Sequence, residues 1–260
     1  MLSLPYIAIR YSLKNKNMKS YLLDIVQHTH GLGFIDLVKL SVVDNETTIN
    51  AISEDQTVIV EGKFKECISE IDGVYGMPNL SKLSTILNIP EYKEGAVITA
   101  NKQNKNGEEY VVGIHFENKT GDFKNDYRFM STDLVNDKLK PLKFKGVAWN
   151  VDFVPTVNNI QRFKFQASAN SEEKSFTAVS ESKGLVFYFG DSGNHAGNFV
   201  FSNEEGDVAK KWSWPVAQIL NILSLPGDKT YKISNEGASM ITVDSGLCEY
   251  KYIIPALRTK

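Results

Sequence analysis

The chain has 260 residues, which is enough for one large domain or two domains of ordinary size. Hydrophobic residues make up 42% of the chain and charged residues 23%, as in a soluble globular protein. Because the formal net charge is −2, the chain as a whole is not a basic nucleic-acid binder. Any attraction to DNA must come from local clustering of its 29 lysines and arginines.

Cysteine usage and the N-terminal sequence indicate the cellular setting. Cys67 and Cys248 lie far apart and lack metal-ligand spacing, which fits a reducing compartment and argues against a disulfide framework. The N-terminal apolar run has no basic leader and is interrupted by Pro5 and Arg10, so we expect no signal peptide. No apolar run is long enough to span a membrane. We therefore expect a cytoplasmic protein. We also expect that it needs no cofactor.

The first half of the chain predicts a strand, a helix, three strands, a second helix and three more strands. Residues 3–13 predict the first strand and residues 17–29 the first helix, which Gly31 and Gly33 end. The apolar face of this helix consists of Leu22, Ile25, Val26 and Thr29. The second helix is predicted at 78–89. The strands are FIDLVKLSVV, TTINAIS and TVIVEGKFKE before this helix, and GAVITAN, EYVVGIHFEN and YRFMS after it.

A polar segment separates the two halves. Residues 132–146, TDLVNDKLKPLKFKG, contain four lysines and one proline and show little periodicity, which is typical of a linker. We therefore predict an N-terminal domain at 1–131, a linker at 132–146 and a C-terminal domain at 147–260.

The second half predicts the same order of elements. A strand in GVAWNVDF precedes the helix PTVNNIQRFKFQASA, and the strands KSFTAVS, KGLVFYFG and GNFVFSNE follow. Pro215 then suits the first turn of a helix that Pro226-Gly227 stops. One face of this helix contains Val216, Ile219, Leu220 and Leu223. Three strands end the chain, and the last alternates clearly, with Cys248, Tyr250, Tyr252 and Ile254 on one face.

An internal repeat supports duplication. Residues 82–90, KLSTILNIP, match residues 218–226, QILNILSLP, at an offset of 226 − 90 = 136. A repeat of this length indicates two similar domains rather than a solenoid, whose repeats span roughly 20–50 residues. The strands are short and hairpin-linked, and the helices are few. This pattern predicts an α+β fold in which two helices of each domain pack on antiparallel sheets.

Two patterns resemble catalytic or metal sites, and neither is convincing. Residues 190–193, GDSG, match the sequence around the nucleophile of trypsin-like proteases, and His195 lies nearby. Gly, Asp and Ser are also common turn residues, and this tetrapeptide lies between two predicted strands. His28 and His30 point to different faces of a helix and have no cysteine or carboxylate cluster beside them. We expect no catalytic residues, no metal site and no enzymatic activity.

Charge placement on the helices is the remaining functional signal. The predicted helix faces carry Lys, Arg, Asn, Gln, Ser and Thr, with almost no acid apart from Asp24, whereas the acids lie mostly on strands and loops. One interpretation is ordinary solvated helix faces. The other is an inner surface that holds a phosphate backbone without recognising base sequence. The candidate DNA-facing residues are Lys14, Lys16, Lys19, Lys82, Arg162, Lys164, Lys210, Lys211, Gln218 and Asn221.

This pattern resembles the DNA polymerase sliding clamps, most closely those of large tailed phages and more distantly proliferating cell nuclear antigen. The residues that carry the resemblance are GVYGMPNLSKLSTILNI and WPVAQILNILSLPGDKTYKISNEGASMITVDSGLCEYKYIIPAL. The resemblance implies a homotrimeric ring around double-stranded DNA, with the helices lining the hole and the sheets continuing across subunit boundaries. It also implies a processivity factor for DNA replication that has no chemistry of its own.

The resemblance implies partners as well. A DNA polymerase would dock through a short peptide in an apolar pocket, and an ATP-dependent clamp loader would load the ring. The linker and the C-terminal segment would border that pocket, through Leu139, Leu142, Pro255 and Leu257. Two alternatives remain open at this stage. One is a non-enzymatic, β-rich virion or surface-binding protein that forms a homo-oligomer, and the other is a hydrolase built on residues 190–193.

Overall fold

The computed structural model describes residues 17–105, 107–139, 144–190, 195–204 and 206–257, without the side chains of Lys105 and Glu108. Several sequence-based predictions lie outside these residues. They are the first strand at 3–13, the candidate DNA-facing Lys14 and Lys16, the candidate pocket residue Leu142, and residues 191–193 of the GDSG segment.

The N-terminal half begins with helix α1, whose apolar face packs into the core. The predicted Leu22, Ile25, Val26 and Thr29 are all buried, which confirms the helical periodicity. Asn17 caps the helix, since its side-chain oxygen accepts a hydrogen bond from Ser20 N at 3.1 Å. The elements of this half are α1 Met18–His28, β1 Leu37–Val43, β2 Glu46–Ile52, β3 Ile59–Phe64, β4 Gly73–Pro78, α2 Leu80–Leu87, β5 Val97–Lys105, β6 Glu108–Glu117 and β7 Lys124–Arg128. Short 3-10 helices follow α1 at His30–Leu32 and α2 at Pro90–Tyr92.

The C-terminal half repeats this order after a short helix. Thr156 and Asn159 form a capping box at the start of the long helix of this half, which fixes its first turn. The elements are α3 Thr132–Lys138, β8 Val151–Phe153, α4 Val157–Ala169, β9 Ser175–Glu181, β10 Gly184–Phe189, β11 Gly197–Ser202, β12 Ser213–Pro215, α5 Val216–Leu223, β13 Asp228–Ser234, β14 Ala238–Asp244 and β15 Cys248–Pro255.

An eight-stranded antiparallel sheet runs through both halves in the order β4-β1-β2-β3-β15-β14-β13-β8. The halves join where β3 pairs with β15, with Cys248 opposite Phe64 and Ile253 opposite Ile59. The other described sheets are β11-β10-β9-β12 and β5-β6-β7. Strands in corresponding positions have the same neighbours, since β12-β9-β10-β11 repeats β4-β1-β2-β3 and β5-β6-β7 repeats β13-β14-β15. The predicted α+β duplication is therefore confirmed.

Each half contains a strand that the sequence analysis missed. β4 and β12 precede α2 and α5, and each pairs with the first strand of its own hairpin, β1 and β9. β4 contains Gly73, Gly76 and Pro78, and β12 is only three residues long. Glycine, proline and short length all weaken the alternating signal by which a strand is recognised.

The first part of the predicted linker is helical rather than irregular. Helix α3 packs on β4, where Val135 is fully buried and Thr132 Oγ1 donates to Val74 O at 2.6 Å. Met130 forms an antiparallel bridge with Gly76 just before this helix. At seven residues, α3 is too short to show helical periodicity clearly, so its stability depends on this docking. No helix within the described residues has the length and apolar character needed to cross a bilayer.

Candidate functional site

The four helices α2, α1, α5 and α4 form one continuous row. α1 contacts α2, α4 contacts α5, and α5 contacts the 3-10 helix that follows α1. Asn221 Nδ2 on α5 donates to Leu32 O at 3.1 Å, so a hydrogen bond crosses from one half of the chain to the other. This bond occupies the side chain of a residue that the sequence analysis placed in the DNA-facing set.

The row of helices exposes no carboxylate. Asp24 is the only acidic residue on α1, α2, α4 and α5, and it is 8% exposed. Its Oδ2 accepts hydrogen bonds from Tyr250 Oη at 2.7 Å and from Ser245 Oγ at 3.0 Å. Because that charge is turned into the protein, the exposed face of the four helices carries no negative group that would repel phosphate.

Asp24 belongs to a buried polar network that connects α1 with the C-terminal half. His28 stacks on Tyr250 with ring centroids 4.6 Å apart, and its Nδ1 lies 2.9 Å from Asp24 O. Tyr252 Oη donates to His28 O at 2.7 Å. Burial raises the pKa of Asp24, while His28 and the hydroxyls of Tyr250 and Ser245 oppose that rise. The network accounts for His28, whereas His30 lies outside it, with Nδ1 3.6 Å from Asp36 Oδ1. The described residues contain no group of three or more His, Cys, Asp or Glu side chains that could hold a metal ion.

The candidate DNA-facing cations occupy different environments. Lys82 on α2 and Arg162 on α4 are exposed, while Lys164 and Gln218 are half-buried. The Arg162 guanidinium lies over the ring of Phe199 on β11, 5.5 Å from the ring centre. Lys19 donates to Tyr92 O, and burial, together with the nearby Lys93, lowers the pKa of its ammonium group.

Lys210 and Lys211 are exposed but do not lie on a helix. They precede β12 beside the turn between β13 and β14, where the backbone nitrogen of Lys210 donates to Asn235 Oδ1 at 3.1 Å. Trp212 Nε1 fixes the same segment by donating to Asn235 O at 2.8 Å. The structure therefore places these two lysines in the segment before β12 rather than on the row of helices.

Most exposed side chains on the row of helices are polar and uncharged. They supply amide and hydroxyl groups that can hydrogen-bond to phosphate oxygens directly or through water. Acid is scarce on these helices, as the sequence indicates, but most of the exposed positions are neutral rather than basic. These neutral residues are Gln27 on α1, Ser81, Thr85 and Asn88 at α2, Asn158, Gln161 and Ser168 on α4, and Asn221 and Ser224 at α5.

A cavity of about 330 Å³ lies between α3 and the eight-stranded sheet. Leu139, one of the four predicted pocket residues, lines it at the end of α3. Its other apolar lining residues are Leu37, Ile52, Pro78 and Met130, and its charged lining residues are Asp36, Glu54 and Lys138. Ser53, Gln56 and Asn79 complete the lining, so six of the eleven lining residues are polar or charged. The cavity thus offers apolar and polar contacts side by side, which suits a short amphipathic peptide.

An aliphatic row, which we define as Ile52, Ile59, Ile253 and Met240, extends from this cavity across the sheet. Each member lies opposite the next in the register of β2, β3, β15 and β14. The alternating burial of these strands places the row on the sheet face away from α1. No sequence pattern marks these residues, because they become neighbours only when β3 pairs with β15.

The C-terminal segment lies beside β14, the strand on which the aliphatic row ends. Pro255 ends β15 opposite Ala238, Ala256 N donates to Gly237 O at 2.8 Å, and Leu257 N donates to Ser213 O at 2.8 Å. These bonds hold Pro255 and Leu257 beside β14 and β12. Leu139 and the C-terminal segment thus lie on either side of the aliphatic row.

Comparison with known proteins identifies the fold. No family model and no curated protein sequence matches the chain. PCNA from Thermococcus kodakaraensis superimposes with a TM-score of 0.64 at 12% sequence identity, over 93% of this chain and 98% of that one. A. fulgidus PCNA bound to the C-terminal region of FEN-1 gives a TM-score of 0.65 at 10% identity, over 92% of this chain and 96% of that one. The chain therefore has the duplicated sliding-clamp fold of PCNA.

Proposed function

We propose that the protein is a DNA sliding clamp that encircles duplex DNA as a homotrimer and tethers a replicative polymerase for processive synthesis. The observation that carries the proposal is the row of four helices, which exposes no carboxylate in a chain with the fold of PCNA. An acid-free polar surface can face the phosphate backbone without repulsion. Such contacts are weak and independent of sequence, which permits sliding.

The internal β3–β15 junction supports the proposed ring. β11 occupies the same position in its sheet as β3, and β7 occupies the same position as β15. Each is an edge strand among the described sheets, so β11 of one copy can pair with β7 of the next as β3 pairs with β15. Repetition of this head-to-tail contact generates a ring if the rotation closes. Three copies then supply six similar domains.

The cavity beside α3 and the aliphatic row are the proposed docking site for partner peptides, which a polymerase and an ATP-dependent loader would supply. In one of the similar structures, the C-terminal region of FEN-1 is bound to PCNA, which supports peptide docking in this fold. A partner segment with two or three apolar side chains could fill the cavity and cover the row. Leu139, Leu142, Pro255 and Leu257 would border it.

We also propose the domain limits and setting that the sequence predicts. Residues 1–131 and 147–260 form the two clamp domains, and 132–146 link them. The resemblance of the segment from Trp214 to Leu257 to tailed-phage clamps supports a phage origin. Such a clamp would act in the cytoplasm of a bacterial host.

The test is retention on DNA of defined topology. We would incubate concentrated protein with nicked circular plasmid, separate bound from free protein by gel filtration, and then linearise the plasmid. A ring remains on the circle and slides off the linear DNA, so cleavage should release most of the bound protein. Light scattering across a dilution series should give the mass of a trimer that dissociates on dilution. A strict monomer at high concentration, or equal retention on linear DNA, would contradict the proposal.

A further inference from the structure

At the internal junction, α1 of the N-terminal half is seated on two loops of the C-terminal half. His28 Nε2 lies 3.4 Å from Pro226 O, just after α5. Asp24 accepts from Ser245 Oγ in the turn between β14 and β15. These two contacts define how a helix of one half fits the next half.

The duplication identifies the counterpart of α1 as α4. The first hairpins of the two halves differ by 138 residues, since 181 − 43 and 184 − 46 both equal 138. The same offset aligns Ile25 of α1 with Phe163 of α4, and both side chains are fully buried. It therefore places Asp24 at the position of Arg162, and 28 + 138 gives Gln166 as the counterpart of His28.

The loops that receive α1 also have counterparts in the N-terminal half. Pro226 corresponds to Pro90, at the repeat offset of 136. Ser245 corresponds to Asn118, since each is the first residue after a strand and each side-chain oxygen caps the following turn. Ser245 Oγ accepts from Cys248 N at 3.0 Å, and Asn118 Oδ1 accepts from Phe123 N at 3.2 Å.

This N-terminal counterpart is an open surface. Pro90 and Asn118 border a cavity of about 420 Å³. Its position on the N-terminal half is equivalent to the position on the C-terminal half where α1 is seated. Asn118 Nδ2 lies 2.9 Å from Asp122 Oδ1 and 3.4 Å from Glu91 Oε2, so two exposed carboxylates converge on one amide. In the described ranges, no ion pair joins either of them to a cation, although Lys93 and Lys119 line the same cavity.

The face of α4 that corresponds to Asp24 and His28 lies beside the edge strand β11. Arg162 stacks on Phe199 of this strand, and Gln166 Nε2 donates to Asn198 O at 3.2 Å. The charge on the helix is reversed relative to α1, from Asp24 to Arg162. The carboxylates of the receiving loops also differ, since Asp244 beside Ser245 is paired with Lys65 at 2.7 Å, whereas the two carboxylates beside Asn118 have no ion pair in the described ranges.

We propose that α4 of one copy seats in this cavity on a second copy, with Arg162 facing Glu91 and Asp122. The proposal rests on the ring proposed above and names the side chains that select its head-to-tail contact. Arg162 then belongs to the subunit junction rather than to the DNA-facing surface. Opposite charges across an interface speed correct association and disfavour wrong pairings.

The test is a charge swap measured by light scattering over a dilution series. Arg162→Glu and Glu91→Arg each place like charges across the junction, so each should raise the concentration of half-dissociation at least tenfold. The double variant Arg162→Glu/Glu91→Arg should recover most of that loss. Lys183→Glu makes the same charge change in the turn between β9 and β10 and should leave the dissociation curve unchanged. Circular dichroism melting curves establish that each variant is folded.

The outcomes separate this inference from the function on which it rests. Wild-type protein that stays monomeric at every concentration would overturn the ring itself. Wild-type protein that assembles, with dissociation unchanged in Arg162→Glu and Glu91→Arg, would overturn the junction while leaving the ring. If Arg162→Glu fails to fold, the exposed Glu91→Arg variant decides alone. Weakened assembly in both single variants without recovery in the swap would also contradict the direct pairing.

Discussion

At the scale of single residues, Asp24 shows how one side chain affects both the surface and the core. Because its carboxylate is buried, the helix surface is free of negative charge. The same carboxylate accepts hydrogen bonds from Tyr250 and Ser245 on the other half of the chain. The sequence marks Asp24 as the exception on otherwise acid-free helices. It could not show that the exception is buried, because the partners lie more than 200 residues away.

Removing a hydroxyl donor from Asp24 should reduce stability in a pH-dependent way. In Tyr250→Phe the ionised carboxylate loses one donor, which should cost about 1–3 kcal/mol at pH values above the pKa of Asp24, because a bond to a charged group is lost. Burial raises the pKa of Asp24 above its ordinary value. Below that raised pKa the folded protein holds Asp24 protonated, so the effect of the mutation should shrink as the pH falls through it. Urea denaturation at several pH values measures this.

Tyr252→Phe is the matched control. It also removes a buried hydroxyl at the same junction, but that hydroxyl donates to the backbone oxygen of His28, which carries no charge. We expect a loss of about 0.5–1.5 kcal/mol with little dependence on pH. An equal pH dependence in the two variants would contradict the assignment of the effect to Asp24.

At the scale of elements, α3 and β4 depend on each other. Gly76 lies under α3, where an added Cβ would come within 2.9 Å of the Cβ atoms of Met130 and Val135. Gly76→Ala should therefore displace α3 and open the cavity between α3 and the sheet, at a cost of about 1–3 kcal/mol. Hydrogen exchange across 132–138 should accelerate much more than exchange in β1. Val135→Ala, which removes contacts without a clash, should loosen α3 less.

The elements that could be predicted are those with their own periodicity. α1, α2 and α5 show apolar spacing that fits a helix packed on one side, and the long hairpin strands alternate. α4 is an exception, since Phe163 is its buried residue and Val157, expected inside, is 85% exposed. β4, β12 and α3 are short and gain stability from neighbours that are distant in sequence, so no local pattern shows them. The aliphatic row was missed for the same reason. In the sequence, its members are separate residues on the outer faces of different strands, and they form a row only when β3 pairs with β15.

At the scale of the whole molecule, the row of helices predicts weak binding to DNA with few ionic contacts. Lys82 is the exposed lysine on α2, so Lys82→Gln should lower the salt dependence of DNA retention. The slope of log K against log salt should fall by about 0.9 for each phosphate contact that is lost. Assembly measured by light scattering should be unchanged.

Lys210→Gln separates the structural assignment from the one based on sequence. Both lysines are exposed and belong to the candidate set, but Lys210 lies beside the turn between β13 and β14 rather than on the helices. Its substitution should leave the salt slope as in the wild type. A similar loss of slope in both variants would show that the DNA path includes the segment before β12.

The continuous pairing of β3 with β15 also has a kinetic consequence. In the proposed ring of three copies, half of the six domain junctions would lie within a single chain and would not depend on protein concentration. For tethered modules, the effective local concentration reaches the millimolar range. Dilution therefore acts only on the three junctions between chains. Breaking one of these opens the ring without unfolding any domain, so passage of DNA into or out of the ring should be controlled by a single dissociation step.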